Sequence, residues 1–424
     1  MPQSERPTDS PTTPTGPFAA LRCRNFRLFF AGQLVSVAGS WMQSVAQQWL
    51  VYSLTHSPKW LGIVAGASAI PYVLFAVWGG QVADDRPRRN VLIFTQVAAM
   101  LLALALFVVA DGRWMSPQAW HVAVIAAVGG AINAFTMPAQ HALVTELIDD
   151  PKLIGNAIAL NSLRFNMARF VGPILAGWVL SRYGLPFCFL ANAASFLAVI
   201  ASLSAMRLPA AQPRGRHSAP WGGFLFIART PSILRVVTLV SLGSLFAWST
   251  TTLYPVLAAQ FQRGAGGFSA IMAAHGAGAA AGGLLVAWYG HRFERAHLTY
   301  GGAALFGVAL LTLTAVRSFR ALLAVLVVAG FAMIMFGINA QTKVQQDAPD
   351  RLRGRVMAVY SLMFNAMMPL GGLQIGFLAE HVGATQAIRL NAAVLLVAAA
   401  VIIAWHRADR HERRKAPPLS LASP

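Results

Sequence analysis

Two arginines, Arg164 and Arg169, interrupt an apolar run at 157–180. An arginine held at the centre of a bilayer-spanning helix costs about 2.5–3.5 kcal/mol even on the lenient insertion scale. Each therefore needs a partner or a wet surface to face. At helical rise Arg169 lies ~18 Å beyond Ala157, near mid-membrane, and Arg164 ~10 Å in, within snorkelling reach of the near interface. Such groups can capture an anion, either an acidic group of a ligand or a coupling carboxylate. The competing role is structural: a salt bridge to Glu146 or hydrogen bonds to carbonyls. The acids sharpen the contrast. All 14 lie in tails, loops or segment ends, and none at the centre of an apolar segment. A carrier of organic cations needs a carboxylate in its cavity. This chain offers positive charge instead, which favours anionic or neutral, hydrogen-bonding ligands.

Uncharged polar side chains inside apolar runs extend the candidate lining: Gln33, Gln43, Gln47, Asn133, Asn161, Asn339 and Gln341. In hydrocarbon each needs a partner, so interhelical hydrogen bonding competes with ligand contact at every one. Trp41, Trp49 and Tyr254 are candidates to stack on an aromatic ligand, against simple core packing. Candidate coupling groups are Asp84 and Glu146 at segment ends, and His275, an imidazole able to titrate near neutral pH. Alternatively the membrane potential acts on the cargo directly, at about 2.3 kcal/mol per charge per 100 mV. No phosphate loop, nucleophile elbow or metal-spaced His/Cys set is present, so no enzyme activity, cofactor or metal is expected. Gradients would supply the energy.

These residues are positioned by a chain of 424 residues that is 56% hydrophobic and only 11% charged, against roughly 25% charged for a soluble domain. That excludes a single large soluble domain and a disordered chain. Apolar segments fall at about 28–54, 60–79, 91–110, 121–141, 157–180 and 185–206, then at 236–259, 268–290, 298–316, 321–342, 356–379 and 386–406. The expected fold is an all-α membrane protein of 12 transmembrane helices in two six-helix bundles. The expected order is a disordered cytoplasmic tail (1–20), an N-terminal bundle (21–206), a cytoplasmic linker (207–235), a C-terminal bundle (236–406) and a cytoplasmic tail (407–424). With both tails and the even-numbered loops placed in the cytoplasm, 24 of the 33 Lys and Arg lie inside, seven lie outside, and Arg164 and Arg169 remain within the fifth segment. That bias predicts cytoplasmic termini. It also accounts for the net charge of +19 without a nucleic-acid partner. Cys23 and Cys188 fall at opposite membrane faces, which argues against a disulfide between them.

The halves repeat. Sliding 152–201 by 199 positions onto 351–400 gives 15 identities in 50, among them Ser162/Ser361, Leu163/Leu362, Phe165/Phe364, Asn166/Asn365 and Gly172/Gly371. The counterparts of Arg164 and Arg169 are Met363 and Met368. The fold itself therefore does not require charge at these depths. Parallel six-helix repeats with a central site are a transporter architecture.

The loop after the second segment reads Gly80-Gln81-Val82-Ala83-Asp84-Asp85-Arg86-Pro87-Arg88-Arg89. It resembles the G-x-x-x-D-[RK]-x-G-[RK]-[RK] signature of the major facilitator superfamily. Gly80, Asp84, Arg88 and Arg89 match, and Asp85 and Pro87 depart. The resemblance implies a cytoplasmic gate in which Asp84 meets the segment starting at Arg353-Gly354-Arg355. Gly172-Pro173-x-x-Ala176-Gly177 is similar to the antiporter motif G-P-x-x-G-G, a helix bend, with close helix packing as its plainer role. Asn25-Phe26-Arg27, Gly32-Gln33, Trp41-Met42-Gln43, Trp49-Leu50-Val51-Tyr52, Pro138-Ala139 and Arg351-Leu352-Arg353-Gly354-Arg355-Val356 resemble the exporter branch that includes the enterobactin exporter and macrolide efflux proteins. This resemblance implies an inner-membrane, monomeric secondary transporter working by alternating access. It would export an anionic or hydroxylated small molecule such as a siderophore, with a proton as candidate coupling ion. The alternatives are a macrolide-like or multidrug efflux pump and a membrane scaffold or sensor that moves nothing.

Overall fold

The computed structural model describes residues 16, 18–148, 150–207 and 221–415. The expected tails before residue 16 and beyond Lys415, the middle of the linker (208–220) and the side chain of Asn166 lie outside the described residues. The described chain is helical throughout. The first half holds α1 (Arg24–Thr55), α2 (Pro58–Asp85), α3 (Arg88–Asp111), α4 (Ala119–Glu146), α5 (Ile154–Arg182) and α6 (Leu185–Ser204). A short α7 (Trp221–Arg229) comes next. In the second half α8 (Pro231–Leu242) passes through a π-helical turn at Gly243–Ala247 and a 3-10 turn at Trp248–Leu253 into α9 (Tyr254–Gln260). Then come α10 (Gly264–Tyr289), α11 (Arg295–Leu313), α12 (Phe319–Asp347), α13 (Asp350–Val382) and α14 (Ala384–Lys415). Local chemistry sets the starts and stops. Pro58 and Pro231 open their helices, where a missing N–H costs nothing. Gly112, at φ 70°, closes α3 in the left-handed region that suits glycine.

Ten helical segments are long and apolar enough to cross a membrane, with α8–α9 counted as one. The two other long helices, α1 (32 residues) and α5 (29 residues), miss that standard through composition rather than length. They carry the glutamines, Asn161 and both mid-helix arginines. Twelve crossings fit this architecture. Helix also enters segments read as linker and tail. Ile227 of α7 is buried, and Gly223 packs on the Arg355 carbonyl of α13. At the far end of the chain α14 continues to Lys415.

Each half is held by close helix pairs. α2 lies on α4, and in the second half α10 lies on α12. At both crossings glycine is required. A Cβ on Gly130 would sit 1.9 Å from the Ser68 carbonyl oxygen, and one on Gly278 would sit 1.9 Å from that of Val327. Two main crossings join the halves, α2 with α13 and α5 with α10, and α1 adds contacts to α9 and α10. Their contacts cluster at one end. Gly62 abuts Gly376, Gly177 abuts Ser269, and Trp49 stacks on Phe268 with centroids 6.2 Å apart. Gly276 lies against the backbone of Arg169 and Phe170. Past that level, toward the 84–89 loop, Ile158 of α5 and Leu284 and Trp288 of α10 are exposed. The close approaches between the halves named here thus lie at and beyond the Arg169 level, toward the end opposite that loop.

The glycine packing is directly testable. Gly130→Ala should cost about 1–3 kcal/mol by overpacking and lower the thermal unfolding midpoint in detergent. Gly155→Ala, whose new Cβ meets nothing within 4 Å, should leave the midpoint unchanged or raise it.

Candidate functional site: a basic cavity and its gates

The two arginines of α5 point to different places. They are five positions apart, so a regular helix turns their side chains about 140° away from each other. Arg164 is 2% exposed and enclosed in the first half. Its Nη1 donates to Gln33 Oε1 at 3.1 Å, and its guanidinium lies 5.6 Å from the Phe29 ring centroid. Its Nε and the Nε2 of Gln33 are buried without partners among the described residues. Arg169 reaches across the interface. Its Nη2 lies 3.5 Å from Met333 Sδ on α12, and its guanidinium 5.3 Å from the Trp41 ring of α1. On the facing half Tyr254 Oη and His275 Nδ1 are 3.4 Å apart, and His275 Nε2 is buried without a partner among the described residues. Tyr254 and His275 both interact electrostatically with Arg169. Among the described residues neither arginine has a carboxylate partner. Glu146, the structural partner considered for them, pairs with Arg88 instead. Arg169 is therefore a cation at the meeting point of the halves, walled by an aromatic ring, a thioether and a Tyr–His pair. That surface can receive an anion.

The helix-bend sequence serves both interfaces. A Cβ on Gly172 would lie 2.4 Å from Trp41 Cβ, so α1 and α5 touch there. Gly177 makes the α5–α10 approach, while α5 stays helical through Pro173. The remaining candidates scatter. Gln43 Oε1 accepts from Asn192 Nδ2 at 2.8 Å, and Asn339 Oδ1 accepts from Arg295 Nη1 at 2.8 Å, so both are occupied as interhelical bridges. Asn161 leaves Oδ1 buried and unpartnered among the described residues. Gln47 is half-buried, Asn133 and Gln341 are exposed, and none of the three is bonded to the arginine clusters.

The 84–89 loop ties helix ends within its own half. Arg88 bonds Glu146, lies 3.8 Å from Asp84, and donates to the carbonyls of Ala83 at 3.2 Å and Ala142 at 3.4 Å. Arg89 Nη2 donates to Ser204 O at 2.7 Å, a cation on the last turn of α6. Gly80 has open space around its Cα. Across the opening, Arg353 donates to Gln345 O at 3.0 Å and Ala348 O at 3.5 Å, which closes the α12–α13 turn. Gly354 stands open, and Arg355 lies against α7. Asp84 is thus held inside the first half, away from its expected contact on α13.

A family model described as transmembrane secretion effector matches residues 15–421. The chain belongs to that family of major facilitator transporters. This transporter is 24% identical over 365 residues to the staphyloferrin A transporter of Staphylococcus aureus, covering 84% of this chain and 90% of the relative. It is 25% identical over 370 residues to the multidrug efflux pump Tap of Mycolicibacterium fortuitum, covering 84% and 89%. To the enterobactin exporter EntS of Salmonella typhimurium it is 23% identical over 346 residues, covering 79% and 81%. Among solved structures, a bacterial homologue of the human lysosomal transporter Spinster, inward-facing and unoccupied, superposes with TM-score 0.72 at 14% identity, covering 91% of this chain and 97% of that one. The facilitator is a multi-pass membrane protein whose fold supports alternating access.

Several site residues escape a reading of the sequence. Met333 carries no signal, since a methionine in an apolar run is ordinary. Gln140 donates to Gln33 Oε1 at 3.5 Å, and His141 interacts electrostatically with Arg164. Their position after Pro138-Ala139 was the only hint. The Arg88–Glu146 pair can be measured by a double-mutant cycle. Arg88→Gln and Glu146→Gln should each lower thermal stability. Their combination should show a coupling of about 0.5–3 kcal/mol, against near-zero coupling between Arg88→Gln and Asp111→Asn.

Proposed function

We propose that this facilitator exports an anionic, hydroxylated small molecule of the siderophore class across the inner membrane. The carrying observation is Arg169: a guanidinium where the two halves meet, without a carboxylate partner among the described residues, facing Tyr254, His275, Trp41 and Met333. Similarity to a staphyloferrin A transporter and an enterobactin exporter supports the same reading. The positive-charge bias supports cytoplasmic termini. The cavity then opens to the cytoplasm, where a secondary metabolite is made. Cargo enters between the halves, its acidic group pairs with Arg169, and rocking of the bundles exposes it on the other side. Arg164 and Gln33 keep a positive potential on the first-half wall. For a net anion the negative-inside potential assists export. His275, bonded to Tyr254 beside Arg169, is the candidate proton carrier within the cavity, with Asp84 and Glu146 at the inner edge.

The aromatic and thioether wall also suits a neutral amphipathic drug, and the likeness to the efflux pump Tap favours that second reading. Arg169→Met separates the two. In inside-out vesicles, transport of an anionic siderophore should fall roughly tenfold or more, the equivalent of at least about 1.4 kcal/mol, while Arg169→Lys keeps part of it. Undiminished anion transport by Arg169→Met would overturn the first reading, and sustained macrolide transport by the same variant would establish the second. Potential coupling has its own measurement. Collapsing the membrane potential with valinomycin and potassium should slow export of a net anion at constant pH gradient.

A further inference from the structure

At the closed end the two halves share one helix cap. The first turn of α2 presents backbone N–H groups that have no partner within the helix. Ser57, at the N-cap, makes no capping bond with its own side chain, and Pro58 removes one donor. The cap comes from the other half instead. Ser57 Oγ donates to Glu380 Oε2 at 2.8 Å, and the Lys59 backbone N–H donates to the same oxygen at 3.3 Å. The Lys59 ammonium lies 5.2 Å from the Phe377 ring, one helical turn from Glu380 on α13. Just below, Gly62 meets Gly372 and Gly376 backbone to backbone. The carboxylate thus sits on the positive end of the α2 dipole as well as on two donors.

We infer that Glu380 is a gate residue of the transport cycle: its carboxylate caps α2 across the interface and weights the equilibrium toward the state closed at this end. The same two helices, running antiparallel, carry an acid at each end. Glu380 on α13 faces the start of α2, and Asp84 on α2 lies at the end where α13 starts. In this structure the first acid is engaged across the halves, and the second is bonded to Arg88 within its own half. Opening the closed end parts α2 from α13. Water then replaces Glu380 at the first turn of α2, and the carboxylate loses both donors and the dipole. Because Glu380 is exposed, its contribution is that of a surface cap. It tilts the equilibrium without locking it, as a cycling gate requires.

The test is a distance measurement on the full chain in lipid. Spin labels at Arg113→Cys and Arg317→Cys, on loops of opposite halves at the closed end, report the gate without touching it; Cys23→Ser and Cys188→Ala clear the background. The wild type should show mainly the short distance. In Glu380→Ala the long-distance population should rise roughly two- to thirtyfold, the range spanned by loss of a helix cap. Glu380→Gln and Ser57→Ala should shift it the same way, and Glu380→Asp should restore part of the short population. Asp84→Asn should not increase the long distance. Distributions unchanged from wild type in both Glu380→Gln and Ser57→Ala would overturn the inference. So would an equal gain of the long distance in Asp84→Asn. Glu380→Gln keeps side-chain volume, so it decides the matter if Glu380→Ala fails to fold. No substrate is involved, so the result stands apart from the siderophore reading.

Discussion

A bilayer core offers neither hydrogen bonds nor counter-charges, so every polar group placed at that depth must be met by protein or by an internal water-filled space. That constraint organises this molecule around α1 and α5. They are the two long helices that lack a continuous apolar stretch of membrane-spanning length, and they pack on each other through Gly172 and Trp41. Gln33 takes a bond from Arg164, Gln43 takes one from Asn192 of α6, and Trp41 covers Arg169. Elsewhere exposed side chains on α2, α3 and α6 are large and apolar, such as Trp78, Phe94 and Leu197. Most of the polar seam along α1 and α5 lies within the first half, and only Arg169 carries it across to α12.

Charge placement divides the labour within the seam. Arg164 is enclosed by its own bundle, where it meets Gln33 and Phe29. Arg169 touches both bundles, through Trp41 on one side and Met333 on the other. Its surroundings must change whenever the halves rock.

Much of this was legible in the sequence because it rests on composition and spacing. The apolar runs marked the helices, and the S-L-x-F-N repeat marked the two bundles. Contacts between remote residues were not legible. Glu380 read as one more acid at a segment end, because only the fold brings Ser57 to it across 323 positions. Asp84 was expected against α13. In the open geometry it stays 3.8 Å from Arg88, since a signature fixes residue types and leaves the conformational state free. Gln43 and Asn339, read as lining or as interhelical bridges, are bonded across helices, since a polar side chain in an apolar run can take either role. The short α7 went unseen inside a stretch whose Pro, Ser and basic residues read as linker.

The run from Gly243 to Leu253 carries a mechanical consequence. A π-helical turn leading directly into a 3-10 turn breaks the regular i to i−4 ladder, so bending stiffness falls over these residues. The same stretch is well anchored at its side chains: Trp248 packs among Phe306, Phe336 and Phe364, with centroids 5.0–5.7 Å apart. A soft backbone pinned by a hard aromatic knot acts as a flexure. The piece beyond it, α9 from Tyr254, can tilt while α8 stays seated, with Arg235 on Asp409 of α14. The second bundle can thereby deform its own wall by a small angle without shifting as a block.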